Sequence, residues 1–87
     1  MFDANYSNQA NNFLKKANKI LAKRLIEKID ELRNTPIIHD TKTIQGYEEK
    51  LFRVRVGDYR ILYEVDYQNN KIGIVKIDKR SKVYWFC

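Results

Sequence analysis

Cysteine, histidine, proline and glycine are scarce in this sequence, and each scarcity removes a class of chemistry. The 87 residues hold one Cys (Cys87), one His (His39), one Pro (Pro36) and three glycines, Gly46, Gly57 and Gly73. A lone thiol closes no disulfide within the chain, which fits a reducing compartment, so the expected location is cytoplasmic. One His and one Cys fall short of the usual zinc site, and no Ser-His-Asp or Cys-His nucleophile arrangement can be assembled from them. Three scattered glycines make no phosphate-cradling loop. The opening MFDANYSNQANN has neither a basic start nor an apolar stretch, and the late run VYWFC is far short of the ~20 residues of a membrane span. Neither secretion nor a membrane partner is expected, and no metal or other cofactor is implied.

What the chain does have is positive charge and apolar surface. Its 17 Lys and Arg against 11 Asp and Glu give a net charge of +6 at pH 7, which favours an anionic partner: nucleic acid, an acidic peptide or a lipid surface. Hydrophobic residues make up 44% of it, enough for one core, and there is no repeat, linker or low-complexity tract to divide it. A single domain over residues 1–87 is expected.

The hydrophobic period changes once. Phe2 to Tyr6 alternates as a short strand, and Ser7 is placed to cap a following helix. Ala10, Phe13, Leu14 and Ala17 then form one helical stripe, and after Asn18 a second runs through Leu21, Leu25, Ile29 and Leu32. The second helix is predicted to stop near Asn34, because Pro36 restricts Thr35. Residues 35–50 read as a loop, with His39 an exposed loop residue. From Leu51 the period is 2: strands are predicted at Leu51 to Val56, Tyr59 to Tyr67 and Lys71 to Ile77, with turns at Gly57-Asp58 and Gln68-Asn69-Asn70. The fold class is α+β, an N-terminal strand and a two-helix pair followed by an antiparallel sheet of three or more strands packed on the helices. Ile72 and Ile74 have one parity, Val75 and Ile77 the other. The last strand is therefore buried on both faces or bulged around Gly73, and the sequence leaves both open.

A two-residue Gly57-Asp58 turn of type II′ fixes the hairpin register and sets Arg55 opposite Arg60. Phe52, Val54, Val56, Tyr59, Ile61 and Tyr63 then face the helices, while Arg53, Arg55, Arg60 and Leu62 face out. Directly opposed guanidinium groups repel, and a bound polyanion relieves them. The competing reading is a solvated face balanced by Glu48, Glu49 and Glu64. Near the C-terminus, Lys76, Lys79, Arg80 and Lys82 surround Asp78 and precede Val83-Tyr84-Trp85-Phe86, where bases can stack on the aromatic rings. Trp85 and Phe86 equally suit closing the core edge. RNA cleavage fits this inventory, because the 2′-OH is an internal nucleophile that needs only proton removal, charge stabilisation and help for the leaving 5′-oxygen. Arg53, Arg55, Arg60 and Arg80 are candidates for the electrostatic part. Tyr84, whose phenolate is favoured by neighbouring cations, is the candidate base.

The run YEEKLFRVRVGDYRILYEV, followed by an apolar strand and DKRSKVY, resembles the RelE/ParE superfamily of toxin-antitoxin toxins, above all its RelE branch; NYSNQANNFLKKANK is similar to the strand-into-helix start found there. The resemblance implies the same α+β fold and a ribosome-dependent mRNA endoribonuclease that cleaves the A-site codon by 2′-OH attack, leaving a cyclic phosphate. It implies catalytic roles for Arg60, Arg80 and Tyr84, RNA contacts from Arg53 and Arg55, and partners comprising mRNA, the ribosomal A-site RNA and a RelB-like antitoxin in a hetero-oligomeric complex. Lys79 and Lys82 join the phosphate-binding set. Lys15, Lys16, Lys19, Lys23, Arg24 and Lys28 give the helices a basic surface suited either to solvation or to ribosomal RNA phosphates. The sequence departs from the best-known members by carrying Arg rather than Lys at 53 and 55, Lys at 79 where many have His, and a short Arg80-to-Tyr84 spacing. Two other readings stand beside this one: a ParE-like toxin acting on DNA gyrase without nuclease activity, and an inactive RNA-binding orphan.

Overall fold

The computed structural model describes residues 1–36, 42–43 and 51–79. The chain runs β1 (Asp3–Tyr6), α1 (Asn8–Lys16), α2 (Lys19–Asn34), β2 (Lys42–Thr43), β3 (Leu51–Val56), β4 (Tyr59–Asp66) and β5 (Lys71–Lys79). Local chemistry sets the helix ends. Ser7 Oγ accepts the Ala10 N–H at 3.1 Å and donates to the Val75 carbonyl at 2.7 Å, so one hydroxyl both starts α1 and ties it to the last strand. Asn18, the break between the two apolar stripes, accepts the Leu21 N–H at 2.8 Å and starts α2. At the far end of α2 the Thr35 N–H still reaches the Glu31 carbonyl, and Pro36 follows.

The five strands form one sheet in the order β1-β5-β4-β3-β2. Only β1 and β5 are parallel, paired from Asp3↔Lys71 to Tyr6↔Ile74; the other ladders are antiparallel. The region expected to be wholly loop contributes β2, which pairs with β3 at Arg53 and Phe52.

A bulge resolves the parity conflict in β5. Leu62 pairs with Lys76 and Tyr63 with Ile74, which leaves Val75 as the extra residue, two positions after Gly73. The extra residue returns Ile77 to the face of Ile72 and Ile74, and all three are buried. Gln9, in the first turn of α1, braces the same stretch: its side-chain amide donates to the Ile77 carbonyl at 2.7 Å and accepts the Ile77 N–H at 2.9 Å. Both groups would otherwise lack a strand neighbour, because β1 has ended at Tyr6.

The main core lies between the helices and one sheet face. Leu25, Ile29 and Leu32 of α2 and Ala10 of α1 pack with Val54, Ile61, Tyr63 and the isoleucines of β5. Tyr63 is fully buried, and its hydroxyl donates to the Pro36 carbonyl at 2.6 Å. Contrary to expectation, Leu62 does not face solvent. It is fully buried in a second, small cluster with Leu51 and the partly buried Val75. It lies on the central strand, where cross-strand neighbours shield it on both sides. Among the described residues, no helix is long and apolar enough to cross a membrane.

Candidate nucleic-acid interface

The β3–β4 turn positions the basic residues. Gly57 has φ 59° while Asp58 keeps a negative φ, the pattern a type II′ turn requires, and the register is the one read from the sequence, including Arg55↔Arg60 and Arg53↔Leu62. Alternation puts Arg53, Arg55 and Arg60 on the sheet face away from the helices.

The three arginines are not equivalent. Arg60, expected to be solvated, is 8% exposed, and its Nη1 donates to the Tyr59 carbonyl at 3.3 Å. It sits on the central strand between Arg55 on one side and Asp78 on the other, so its neighbours cover it. Arg53 is half-buried. Arg55 is exposed on β3, which among the described residues β2 covers only at Phe52 and Arg53. Its Nε donates back to the Gly57 carbonyl at 3.3 Å. The two opposed guanidiniums therefore turn to different carbonyls, as like charges in register should.

Register also separates the two lysines of β5. Lys79, assigned to the phosphate-binding set, pairs with Tyr59 and belongs by alternation to the helix side at the strand end, across the sheet from Arg60. Lys76 pairs with Leu62 on the arginine face. The bulge puts it there: by parity with Ile72 and Ile74 it would point towards the helices, and the parity break in the sequence allowed a bulge without fixing it ahead of Lys76. Arg80, Lys82, Tyr84, Trp85, Phe86, His39, Glu48 and Glu49 lie outside the described residues.

The arginine face is polarised. Its basic end carries Arg53, Arg55, Arg60 and Lys76 with one acid, Asp78, beside Arg60. At the other end Asn5, Glu64, Asp66 and Lys71 line an open polar groove of about 740 Å³. The Glu64 side chain lies over Gly73, where an added Cβ would stand 3.0 Å from its Oε1. Hydrogen bonds from Asn69 hold the Asp66 carboxyl below the usual range, so that end stays anionic. Positive potential is concentrated at the hairpin end, where guanidinium groups can hold phosphate oxygens and offset negative charge developing on them. Among the described residues no cluster of His, Cys, Asp and Glu suits a metal ion.

Comparison with known proteins places this geometry in a family. Residues 4–84 match the family described as the ParE toxin of type II toxin-antitoxin systems, parDE. Among solved structures, the archaeal RelE-RelB complex from Pyrococcus horikoshii OT3 is similar at 27% identity and a TM-score of 0.80, covering 94% of this chain and 98% of that one. The RelB-RelE antitoxin-toxin complex of Methanococcus jannaschii is also 27% identical, with a TM-score of 0.71 and coverage of 94% and 96%. The intact E. coli RelBE toxin-antitoxin complex shares the fold, with a TM-score of 0.79 at 17% identity over 91% and 96% of the two chains. None of the curated proteins matches the sequence. A family match over nearly the whole length, on a chain with this strand order and hairpin, establishes that the protein belongs to the RelE/ParE superfamily of type II toxin-antitoxin toxins.

Proposed function

We propose that this toxin is a RelE-type, ribosome-dependent mRNA endoribonuclease that cuts the A-site codon by attack of the 2′-OH, without a metal ion. The observation that carries this reading is the shared face of Arg53, Arg55 and Arg60 beside the β3–β4 turn, with Arg60 held almost out of water. A guanidinium fixed in a poorly hydrated position stabilises developing phosphorane charge better than a solvated one, because it needs little reorganisation as the charge appears. In this proposal Arg60 and Arg80 stabilise the transition state, Tyr84 takes the 2′-OH proton, and Arg53 and Arg55 hold flanking phosphates with Lys82. Lys79, across the sheet from Arg60, is left out of this set. Arginines at 53 and 55 stay protonated, so they bind rather than shuttle protons. A RelB-like antitoxin, in a hetero-oligomeric complex, is the proposed inhibitor; the similar RelE chains from Pyrococcus horikoshii OT3 and Methanococcus jannaschii are each complexed with RelB. The proposed site of action is the cytoplasm.

The test is to map cellular mRNA ends after brief expression. Cuts confined to translated frames are expected, and Arg60→Ala should lower their frequency about a hundredfold or more, the usual loss for one transition-state charge contact. Circular dichroism of the variant checks that it folds. Cutting that persists undiminished in a folded Arg60→Ala protein removes Arg60 from the chemistry. The family match is to ParE, which supports a second reading, a gyrase-directed toxin. Double-strand DNA breaks with intact mRNA would select it.

A further inference from the structure

A second cationic site lies around the edge of β3 from the arginine face. Arg24, Glu27, Lys28 and Glu31 of α2 line an open cleft of about 310 Å³ with Arg55, Val56 and Gly57 of the hairpin. Two guanidiniums converge on the glycine from different elements. The Arg24 Nη2 lies 3.2 Å from where a Gly57 Cβ would stand, and Arg55 donates to the Gly57 carbonyl. The carboxylates in the cleft have other partners than the two guanidiniums: Glu31 pairs with Lys28 of the same lining at 3.4 Å, and Glu27 with Lys23 outside it at 4.0 Å. Arg24 has no ion pair among the described residues and, like Arg55, lies against Gly57. Such an arrangement leaves uncompensated positive potential in a concave space, which an anion would satisfy.

We infer that this cleft binds a backbone phosphate of RNA, held between Arg24 and Arg55, and so carries the strand from the arginine face over the β3–β4 turn onto α2. The inference rests on the RNA-directed reading above and extends it to a contact outside the chemistry. The lining contains no aromatic ring and a single apolar residue, Val56, so it offers neither a stacking platform for a base nor an anchor for a peptide helix. That leaves the phosphodiester as the recognised group, read without regard to sequence.

The experiment measures binding of the full chain to 2′-O-methyl oligoribonucleotides of two unrelated sequences across a salt series. These probes lack the attacking hydroxyl, so the result is independent of cleavage. Arg24→Gln should weaken both probes equally and reduce the salt slope by about 0.7, the value of one phosphate contact on a single strand. Arg24→Lys should keep the slope. Combined with Arg55→Gln, the loss should be less than the product of the single losses, because the two side chains hold one group. An unchanged slope in Arg24→Gln overturns the site. So does dependence on Arg24 seen with a polyglutamate peptide and not with the oligonucleotides, which would assign the cleft to an acidic polypeptide. Failure of mRNA cutting with the slope change intact would count against the nuclease reading alone.

Discussion

At the residue scale, Gly57 does two jobs. Its φ of 59° places it where an L side chain clashes with its own backbone, and the space a Cβ would take is 3.2 Å from the Arg24 guanidinium. Gly57→Ala is therefore expected to cost about 1–2 kcal/mol, read as a lower urea midpoint at unchanged slope. The sequence disclosed the turn and its type, because a Gly-Asp pair between two alternating runs allows few other hairpins. It did not disclose the burial of Arg60. Charge predicts solvation, and only the position of β4 in the middle of the sheet reverses that for one arginine of three. Lys79 and Lys76 show the same limit: both are cations in one strand, and the face each takes depends on a bulge between them and the start of the strand.

At the scale of elements, the junction of α1 with β5 decides how the last strand is phased. Ser7 bonds the Val75 carbonyl, and Gln9 bonds both backbone groups of Ile77, so side chains at the start of α1 secure the strand at its bulge and just beyond it. Gln9→Leu keeps approximate size and leaves the Ile77 N–H and C=O without those partners. A loss of about 1–3 kcal/mol follows from exposing unpaired backbone groups in a partly buried position. Hydrogen exchange at Ile77 should accelerate more than at Ile61, which remains in the β3–β4–β5 ladder; equal acceleration at both would mean the amide brace is not local. Helix boundaries were legible in advance, since Ser7, Asn18 and Pro36 act through local hydrogen bonding and sterics. The brace was not, because Gln9 and Ile77 meet only once the sheet has formed.

For the whole molecule, the described residues supply one principal core and a small second cluster, and the stability of an 87-residue chain is of order 4–13 kcal/mol. Ile29 is fully buried where α2 meets the sheet, so Ile29→Ala is expected to remove about 2–5 kcal/mol. Against that total, a large drop in melting temperature is expected, with partial unfolding at 37 °C at the upper end of the range. A shift of only a degree or two would show that α2 packs more loosely than its burial indicates. The polarity of the outer face is also a property of the whole sheet. Arginines at one end and Asp66 with Glu64 at the other come from strands that alternation alone cannot order.

Periodicity, caps and turn chemistry are local, and so the sequence by itself determined the α+β class, the two helices, the hairpin register and the set of cations available to meet an anion. The tertiary structure decided the rest: the parallel seat of β1 on β5, the bulge at Val75, the burial of Leu62 and Arg60, and the meeting of Arg24 with the turn. Each depends on which strands become neighbours. Neighbours far apart in the chain exclude water from one another and supply one another's hydrogen bonds, which no short stretch of residues encodes.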